Sequence, residues 1–443
     1  MLIFTGIASL ILYPLGLRAE GTKDIAWFLK LVAAQAVLYV IAAWSILRAQ
    51  PTRPFLITVI VFAVLFRLAI LFSPPTLSDD IYRYVWDGRV QAAGINPYRY
   101  VPADQSLAHL RDDRIYTKIN RREHAHTIYP PVAQVIYFVT TRLSESVTWM
   151  KITMLGFEII AVWAMAQLLA SFGLPRQRIL IYAWHPLIVW ELAGSGHVDA
   201  LLIAFMMLAL LARRRNAEVL TGVTLACAVL VKLFPLVLFP AFYKRWSWKM
   251  PLAFAITVAV AYLPYLGAGP VAVLGYLPGY ATEQGLTSGD QFYLLNVARW
   301  LLPGANNTAF LIFSGLTMLG IAMWSIFKEE RDARSYIKRA CILATTVIVL
   351  FAPHYSWYFA WLVPFLCFVP LMSLFYLTSA SFVLYLTWLG DEPEQMFWLN
   401  TAIYLPFGLL VALEWLSERL RKRRMLEKTV ECLRRQSSAL GGP

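Results

Sequence analysis

Two adjacent carboxylates, Asp79 and Asp80, stand where an apolar run of the sequence ends and a charged stretch begins. The run from Phe55 to Phe72 is almost wholly apolar, whereas residues 74–128 carry eight Lys or Arg and seven Asp or Glu. Two like charges at a membrane edge repel each other and resist dehydration, so folding alone does not require them. One carboxylate can also raise the pKa of its neighbour, which makes it a better acceptor of a proton from a hydroxyl group. The pair therefore predicts a general base at Asp79 or Asp80.

A structural role is the alternative for this pair. Ser78 or Asp79 could cap a helix that begins near Ile81, because short polar side chains satisfy the first backbone N–H groups of a helix. Ser78 alone would be sufficient for such a cap, which favours chemistry for at least one aspartate. The sequence does not choose between Asp79 and Asp80.

A lysine, Lys232, interrupts an apolar stretch farther along the chain. A charged side chain there is costly unless it meets an anion or reaches water. Pro235 follows closely, so residues 217–242 are predicted to form two half-helices or one broken helix, and broken helices at membrane depth usually line a cavity. We predict that Lys232 contacts an anion, and snorkelling to the lipid headgroups is the alternative.

His197 and Asp199 lie two positions apart, between two predicted spans. An imidazole beside a carboxylate suits a donor to phosphate, a sugar ligand or half of a metal site. A helix start capped by Ser195 is the alternative for this pair.

His354 and Tyr355 belong to a short turn, Pro353–Tyr358, that is rich in aromatic residues. Aromatic faces and hydroxyl groups suit contact with a sugar or a prenyl chain. An aromatic belt at the membrane interface is the alternative, and it is common.

The composition indicates an all-α polytopic membrane protein, because 59% of the 443 residues are hydrophobic and only 15% are charged. Apolar runs of about 17–25 residues, the length of a membrane-spanning helix, recur along the chain. The segment Tyr129–Leu143 is apolar but barely long enough to cross. The predicted spans are 1–17, 25–47, 55–73, 147–171, 179–193, 197–212, 217–242, 250–267, 308–327, 339–353, 355–371, 373–390 and 396–417.

The net charge of +13 is distributed in short basic stretches between the spans. This is the positive-inside pattern of membrane proteins, so it predicts membrane topology and contact with membrane lipids, and no nucleic-acid partner. Both chain termini are then cytoplasmic, and residues 74–128 lie on the outer side. Arg176 and Arg178 reach the cytoplasmic side only if Tyr129–Leu143 does not span. We predict one integral-membrane domain over residues 1–417 and a basic cytoplasmic tail over 418–443.

The residues after the aspartate pair resemble a known class of enzymes. Asp79-Asp80, then Gly94-Ile95-Asn96-Pro97-Tyr98, then Tyr129-Pro130-Pro131 are similar to the GT-C class of membrane glycosyltransferases, in particular to glycosyltransferase family 87 and to polyprenol-phosphomannose-dependent mannosyltransferases. Gly196-His197-Val198-Asp199 and Lys232-Leu233-Phe234-Pro235 resemble further stretches of family 87. The resemblance covers about residues 55–365 and is most specific between Asp79 and Pro131.

This resemblance implies a GT-C-like bundle of about 12–14 transmembrane or re-entrant helices, with interfacial helices in a long first periplasmic loop, 74–128. It implies inverting transfer of a hexose, mannose in the first place, from a polyprenyl-phosphate donor to a glycan or lipid-linked acceptor at the periplasmic face of the bacterial inner membrane. An aspartate, Asp79 or Asp80, would be the base. The implied substrate contacts are Arg83, Tyr84, Tyr129, His197, Asp199, Lys232, His354 and Tyr355.

Some relatives of this class use a divalent cation such as Mg or Mn. The aspartate pair could support one but does not require it, and no protein metal centre is predicted.

Two other classes of protein remain as alternatives. A secondary transporter or a flippase for lipid-linked glycans predicts charged residues near the middle of the membrane and paired inverted repeats. A protein that binds lipid-linked glycans without chemistry would tolerate the loss of both aspartates. The polar clusters of this sequence lie at the ends of spans, which favours an enzyme.

Overall fold

The computed structural model describes residues 1–21, 24–75, 77–329, 332–389 and 393–440, and all regular elements within these ranges are helical. The α-helices are α1 (Leu2–Gly21), α2 (Ile25–Arg48), α3 (Arg53–Leu71), α4 (Asp80–Ala92), α5 (Pro131–Leu143), α6 (Val147–Ser171), α7 (Leu180–Ala183), α8 (Pro186–Ile188), α9 (Asp199–Arg214), α10 (Glu218–Val229), α11 (Phe239–Phe242), α12 (Lys249–Tyr262), α13 (Leu277–Glu283), α14 (Tyr293–Leu301), α15 (Asn307–Phe327), α16 (Ser335–Phe351), α17 (Val363–Leu366), α18 (Met372–Ala380) and α19 (Pro393–Leu440). A π-helix covers Val189–Gly194, and 3₁₀ segments cover Gln105–Leu110, Tyr116–Lys118, Arg176–Ile179, Phe234–Leu238, Leu263–Ala268, Ala272–Leu274, Ser356–Leu362 and Ser381–Leu389.

Eight helices in the described ranges are long and apolar enough to cross a membrane. The protein is therefore an all-α polytopic membrane protein, as the composition predicts. The eight are Leu2–Ala19, Ile25–Arg48, Arg53–Leu71, Val147–Ser171, Lys249–Ala268, Asn307–Phe327, Met372–Leu389 and Glu394–Met425.

Shorter and broken segments complete the bundle. The stretch 217–242 is broken as predicted: α10 ends at Val229, and a 3₁₀ segment and α11 follow. Helix α5 has 13 residues, or about 20 Å of helix, which is too short to cross about 30 Å of hydrocarbon.

Two predicted spans, 179–193 and 355–371, are not continuous helices. The first consists of short turns around Pro186 and a π-helix, and the second is a 3₁₀ segment followed by the four-residue α17 around Pro364. Proline lacks a backbone N–H and disrupts the preceding turn, which accounts for both interruptions. These segments are apolar because protein surrounds them, and most of their residues are buried.

A buried ion pair joins two of the long helices. Arg67 of α3 donates from Nε to Glu158 of α6 at 3.0 Å and from Nη1 to the carbonyl of Ala183 at 2.7 Å. The side chains are only 11% and 3% exposed, so each charge depends on the other for compensation.

The basic connections gather at one end of the bundle. Arg214, at the end of α9, donates to the carbonyl of Ser171, at the end of α6, at 2.7 Å, and Tyr336 of α16 bonds the Leu210 carbonyl at 3.1 Å. The aspartate pair lies at the other end of α3 and α6, where Lys151 donates to the carbonyl of Ser73 at 2.7 Å. The carboxylates and the basic connections therefore occupy opposite ends.

The loop between α3 and α5 is folded onto the bundle. Its helix α4 is almost entirely buried, including Tyr82, Tyr84 and Trp86, so these aromatic rings pack against protein. Gly88 permits the close packing of α4 on α5, since a Cβ atom there would lie 2.5 Å from the carbonyl oxygen of Tyr137. Residues 74–75 and 77–128 thus form a fixed wall at this end of the molecule.

Candidate active site

A cavity of about 410 Å³ opens where the loop, the break after α10 and two aromatic segments meet. The predicted residues Asp79, Asp80, Arg83, Tyr129, Lys232 and Tyr355 all line it. The other lining residues are Leu77, Ser78, Asn120, Arg121, Ala125, His126, Ile128, Pro130, Val231, Leu233, Phe234, Tyr276, Leu277, Tyr280, Trp357, Tyr358 and Trp388.

The two aspartates occupy different positions in this cavity. Asp79 is exposed and precedes the first residue of α4, but its side chain makes no capping hydrogen bond. Asp80 is half-buried, and its two oxygens accept hydrogen bonds from Asn120 Nδ2 at 3.2 Å and from the Tyr129 hydroxyl at 3.3 Å. Burial and then the charge of Asp80 raise the pKa of Tyr129 well above its usual range, so this hydroxyl stays protonated and donates.

A third carboxylate in the loop, Asp87, already accepts hydrogen bonds from protein groups on both of its oxygens. It is 1% exposed and accepts hydrogen bonds from Arg83 Nε at 2.7 Å, Thr127 Oγ1 at 2.5 Å and Gln134 Nε2 at 3.0 Å. Arg83 also donates to the carbonyl of Ala125 at 3.0 Å. Asp87 therefore shapes the loop, and the charge of Arg83 is balanced before any ligand binds.

Lys232 reaches the cavity from the break between α10 and the following 3₁₀ segment. Its Nζ lies 2.6 Å from Asp199 Oδ2, and Asp199 is fully buried. The ammonium group also lies 5.1 Å from the centre of the Tyr358 ring and 5.9 Å from that of Phe234. Asp199 thus holds Lys232 from behind and does not itself line the cavity.

Three further predicted residues lie outside the cavity lining. Tyr84 stacks on Tyr137 at 4.7 Å, beneath Asp80 and Tyr129. His197 is buried behind Trp357, with ring centres 4.4 Å apart. His354 Nε2 lies 3.5 Å from the carbonyl oxygen of Gln291. Their residue types were visible in the sequence, but the direction of each side chain was not.

Sequence reasoning did not select Arg121, which connects several parts of the site. Its Nε lies 2.9 Å from Glu283 Oε2, in α13, and it lines the cavity together with Asp80 and Tyr355. Asn120 and His126 were also missed, and burial followed by the charge of Arg83 lowers the pKa of His126. These residues lie in a loop of mixed charge, where a single polar residue gives no distinct signal.

A second, apolar cavity of about 300 Å³ adjoins the first. The two cavities share Phe234, Tyr280 and Tyr358, and the hydroxyl groups of the two tyrosines bond each other. Lys232 lies beside the shared rings of Tyr358 and Phe234. The remaining lining residues of the apolar cavity are Gln284, Leu286, Phe292, Val347, Ile348, Phe351, Pro353 and Trp361.

Across the described part of the chain, no group of three His, Cys, Asp or Glu side chains is arranged to hold a metal ion. The aspartate pair supplies two carboxylates, and Mg²⁺ held by so few protein ligands depends on substrate phosphates and water for the rest of its coordination. We therefore derive no step through a metal.

Comparison with known proteins gives one family. The family model described as alpha-(1->6)-mannopyranosyltransferase, N-terminal domain, matches residues 13–249, which include both aspartates and Lys232. Alpha-(1->6)-mannopyranosyltransferase A of Mycobacterium tuberculosis is 22% identical over 410 residues, which cover 82% of this chain and 69% of the relative. No solved structure matches the chain.

Proposed function

This chain belongs to the alpha-(1->6)-mannopyranosyltransferase family and is a multi-pass membrane glycosyltransferase of the mannosyltransferase type, and on that premise we propose how it works. It transfers mannose, with inversion, from a polyprenyl-phosphate donor to a glycan or lipid-linked acceptor. The active site is the cavity around Asp79 and Asp80, and it faces the periplasm. The family consists of enzymes, so we reject the transporter and flippase alternatives.

The observation that supports this proposal most is the junction of the two cavities at Lys232. A prenyl phosphate sugar has an apolar chain, an anionic phosphate and a polar sugar, in that order. The apolar cavity, the ammonium of Lys232 and the aspartate-containing cavity occur in the same order. We place the phosphate at Lys232, the first prenyl units in the apolar cavity and the sugar beside the aspartates.

The proposed reaction is a single displacement. The acceptor hydroxyl oxygen attacks the anomeric carbon while the bond from that carbon to the phosphate oxygen breaks, and the bonding electrons leave with the phosphate. A carboxylate of the Asp79–Asp80 pair takes the hydroxyl proton. Lys232 stabilises the charge that develops on the leaving phosphate, because it is fixed in place before the reaction starts.

Other cations of the cavity are less available to the phosphate. Arg83 is bonded to buried Asp87, and Arg121 is paired with Glu283. Lys232 is also paired, with Asp199, but its ammonium lies beside the rings of Tyr358 and Phe234, which line both cavities. This comparison favours Lys232 as the phosphate contact.

The basic end of the bundle supports the proposed orientation in the membrane. If that end is cytoplasmic, as the positive-inside rule requires, the aspartates face outward. Three crossings by α1, α2 and α3 then place the amino terminus in the cytoplasm, and α5 does not add a crossing. The basic carboxy-terminal tail lies on the same side as the amino terminus.

Transfer assays with purified protein test the proposed function. Polyprenyl-phosphate mannose and, separately, polyprenyl-phosphate glucose are labelled in the sugar and incubated with membrane glycolipid extracts. Asp79→Asn and Asp80→Asn are compared with Asp113→Asn, an exposed aspartate of the same loop. Loss of the base should lower transfer about 10²–10⁴-fold while donor binding persists.

The two aspartate variants also identify the base, because only its replacement abolishes chemistry while donor affinity is kept. Asp113→Asn should retain full activity. Absence of transfer and of donor hydrolysis with both sugars would contradict the proposal.

A further inference from the structure

Three aromatic rings form a continuous stack that runs from the buried interior to the cavity wall. The rings of His197 and Trp357 are 4.4 Å apart with an interplanar angle of 27°, and those of Trp357 and Tyr355 are 4.5 Å apart and nearly parallel at 7°. Trp357 is only 8% exposed, whereas Tyr355 is half-buried and lines the cavity. Trp357 also lines the cavity, but Tyr355 is the more exposed ring of the two and offers the larger surface to a ligand.

Three other tyrosines of the cavity, Tyr129, Tyr280 and Tyr358, bind protein groups through their rings or hydroxyls. Tyr355 is therefore the ring best placed to support a ligand. Tyr129 meets Tyr84 and Tyr137 edge to face and bonds Asp80. The hydroxyl of Tyr280 is bonded to that of Tyr358, whose ring lies beneath Lys232. Tyr355 stacks closely on Trp357, the ring of Tyr358 lies farther away at 6.3 Å, and Tyr355 lines the same cavity as Arg121 and Asp80.

The buried end of the stack carries a pair of ionisable side chains. His197 and Glu191 are 1% and 0% exposed, and His197 Nε2 lies 3.4 Å from Glu191 Oε2. Tyr385 donates a hydrogen bond to the other Glu191 oxygen. Burying such a pair costs free energy that apolar residues would not, so its retention points to a positioning role. Neither residue reaches the cavity, and the face of His197 lies against Trp357.

We propose that Tyr355 is the platform on which the transferred hexose rests, and that Glu191 and His197 position it through Trp357. This inference depends on the proposed function. The face of an aromatic ring is electron-rich and attracts the polarised C–H groups of a sugar ring. Tyr355 and Asp80 line the same cavity, so a sugar on this platform shares that cavity with the proposed base.

Replacing the platform should weaken binding of the sugar part of the donor. Tyr355→Leu removes the ring, and we expect KM for polyprenyl-phosphate mannose to rise about tenfold with a smaller change in kcat. Tyr355→Phe keeps the ring face and should stay within about threefold of the unmodified protein. Polyprenyl phosphate without a sugar should inhibit the Tyr355→Leu variant with an unchanged inhibition constant, because it never touches the platform.

A double-mutant cycle tests the positioning role of His197. His197→Ala should raise KM about as much as Tyr355→Leu does. His197→Phe should restore KM in part, because an aromatic ring again supports Trp357 but no longer interacts with Glu191. The double variant His197→Ala/Tyr355→Leu should be no worse than either single variant, since both act on one platform. His109→Ala, an exposed histidine of the loop, is the control.

Different outcomes separate this inference from the proposed function. If the unmodified protein transfers no sugar, the proposed function fails. If it is active but Tyr355→Leu leaves KM unchanged, or raises the inhibition constant of sugar-free polyprenyl phosphate equally, the platform is wrong and the function stands. If the effects of His197→Ala and Tyr355→Leu on KM are additive in the double variant, the positioning role of His197 is wrong. Thermal unfolding of each variant establishes that it is folded, and His197→Leu, which fills the space without an aromatic face, replaces His197→Ala in the cycle if that variant does not fold.

Discussion

At the scale of single residues, Lys232 and Asp199 form an ion pair whose two side chains differ in their exposure to the cavity. Asp199 is fully buried, whereas the side chain of Lys232 is 13% exposed at the cavity. Removing the lysine leaves a buried carboxylate without compensation. Removing the aspartate leaves an ammonium group that can turn toward the cavity.

This difference predicts unequal losses of stability. Lys232→Met should lower the free energy of unfolding by about 3–5 kcal/mol, the usual cost of breaking a buried pair from one side. Asp199→Asn should cost less. Thermal unfolding in detergent micelles measures both, and the double variant Lys232→Met/Asp199→Leu should recover most of the loss. Equal losses from the two single variants would contradict this reading of the pair.

Gly196 is needed for two reasons, its backbone conformation and its close packing. Its φ is +71°, and a Cβ atom there would lie 2.4 Å from Ile81 Cδ1 in the first turn of α4. Gly196→Ala should therefore destabilise the protein and displace Asp80, with a clear loss of transfer activity. Gly94→Ala is the matched control, since its φ is +76° and no atom lies within 4 Å of the added carbon. The control should show only the backbone cost of about 1–2 kcal/mol, and equal effects at both positions would contradict the packing argument.

Residue type predicted the region of the cavity better than it predicted which side chains line it. Asp79, Asp80 and Lys232 were found because charge at the end of an apolar run is unusual, and all three line the cavity. His197 and Asp199 were selected on the same grounds, but they lie one layer behind it. The sequence shows where polarity occurs, whereas packing decides which way a side chain points.

At the scale of elements, the apolar cavity beside α16 is the proposed path of the prenyl chain. Val347 lines it, whereas Ile342, on the same helix, is 42% exposed and does not. Val347→Trp should fill part of the cavity and raise KM for long-chain donors more than for donors with one or two prenyl units. Ile342→Trp should change neither. Steady-state transfer assays with donors of graded chain length measure the effect, and an equal change for all lengths would place the chain elsewhere.

Helices that face lipid were the elements most accurately predicted. The predicted span 147–171 coincides with α6, and 308–327 differs from α15 by one residue. The segments 179–193 and 355–371 were wrongly predicted as spans. The length of an apolar run shows that a segment is apolar, but it does not show whether lipid or protein surrounds it. The interior of the protein and the interior of the bilayer are both apolar. In the sequence, only Pro186 and Pro364 indicated that these two segments are not continuous membrane-spanning helices.

At the scale of the whole molecule, the basic connections and the aspartate cavity lie at opposite ends, so the proposed orientation can be tested directly. In a variant without native cysteines, Ser106→Cys marks the cavity end and Arg245→Cys marks the basic end, and both positions are exposed. A membrane-impermeant maleimide should label position 106 in intact spheroplasts and position 245 only after permeabilisation. The reverse pattern would place the active site in the cytoplasm.

The ion pair between Arg67 and Glu158 has a consequence for how the protein is made. The two residues are 91 positions apart, so α3 leaves the ribosome well before its partner α6 exists. During that interval the arginine has no counter-charge in α3. A charge at the centre of a membrane-spanning helix costs about 2.5–3.5 kcal/mol on insertion scales, and Arg67, one turn from the end of α3, costs less. The ion pair with Glu158 offsets that cost once α6 has been made. If residues 74–128 lie on the outer side, as proposed, they cross the membrane before α3 and α6 are joined.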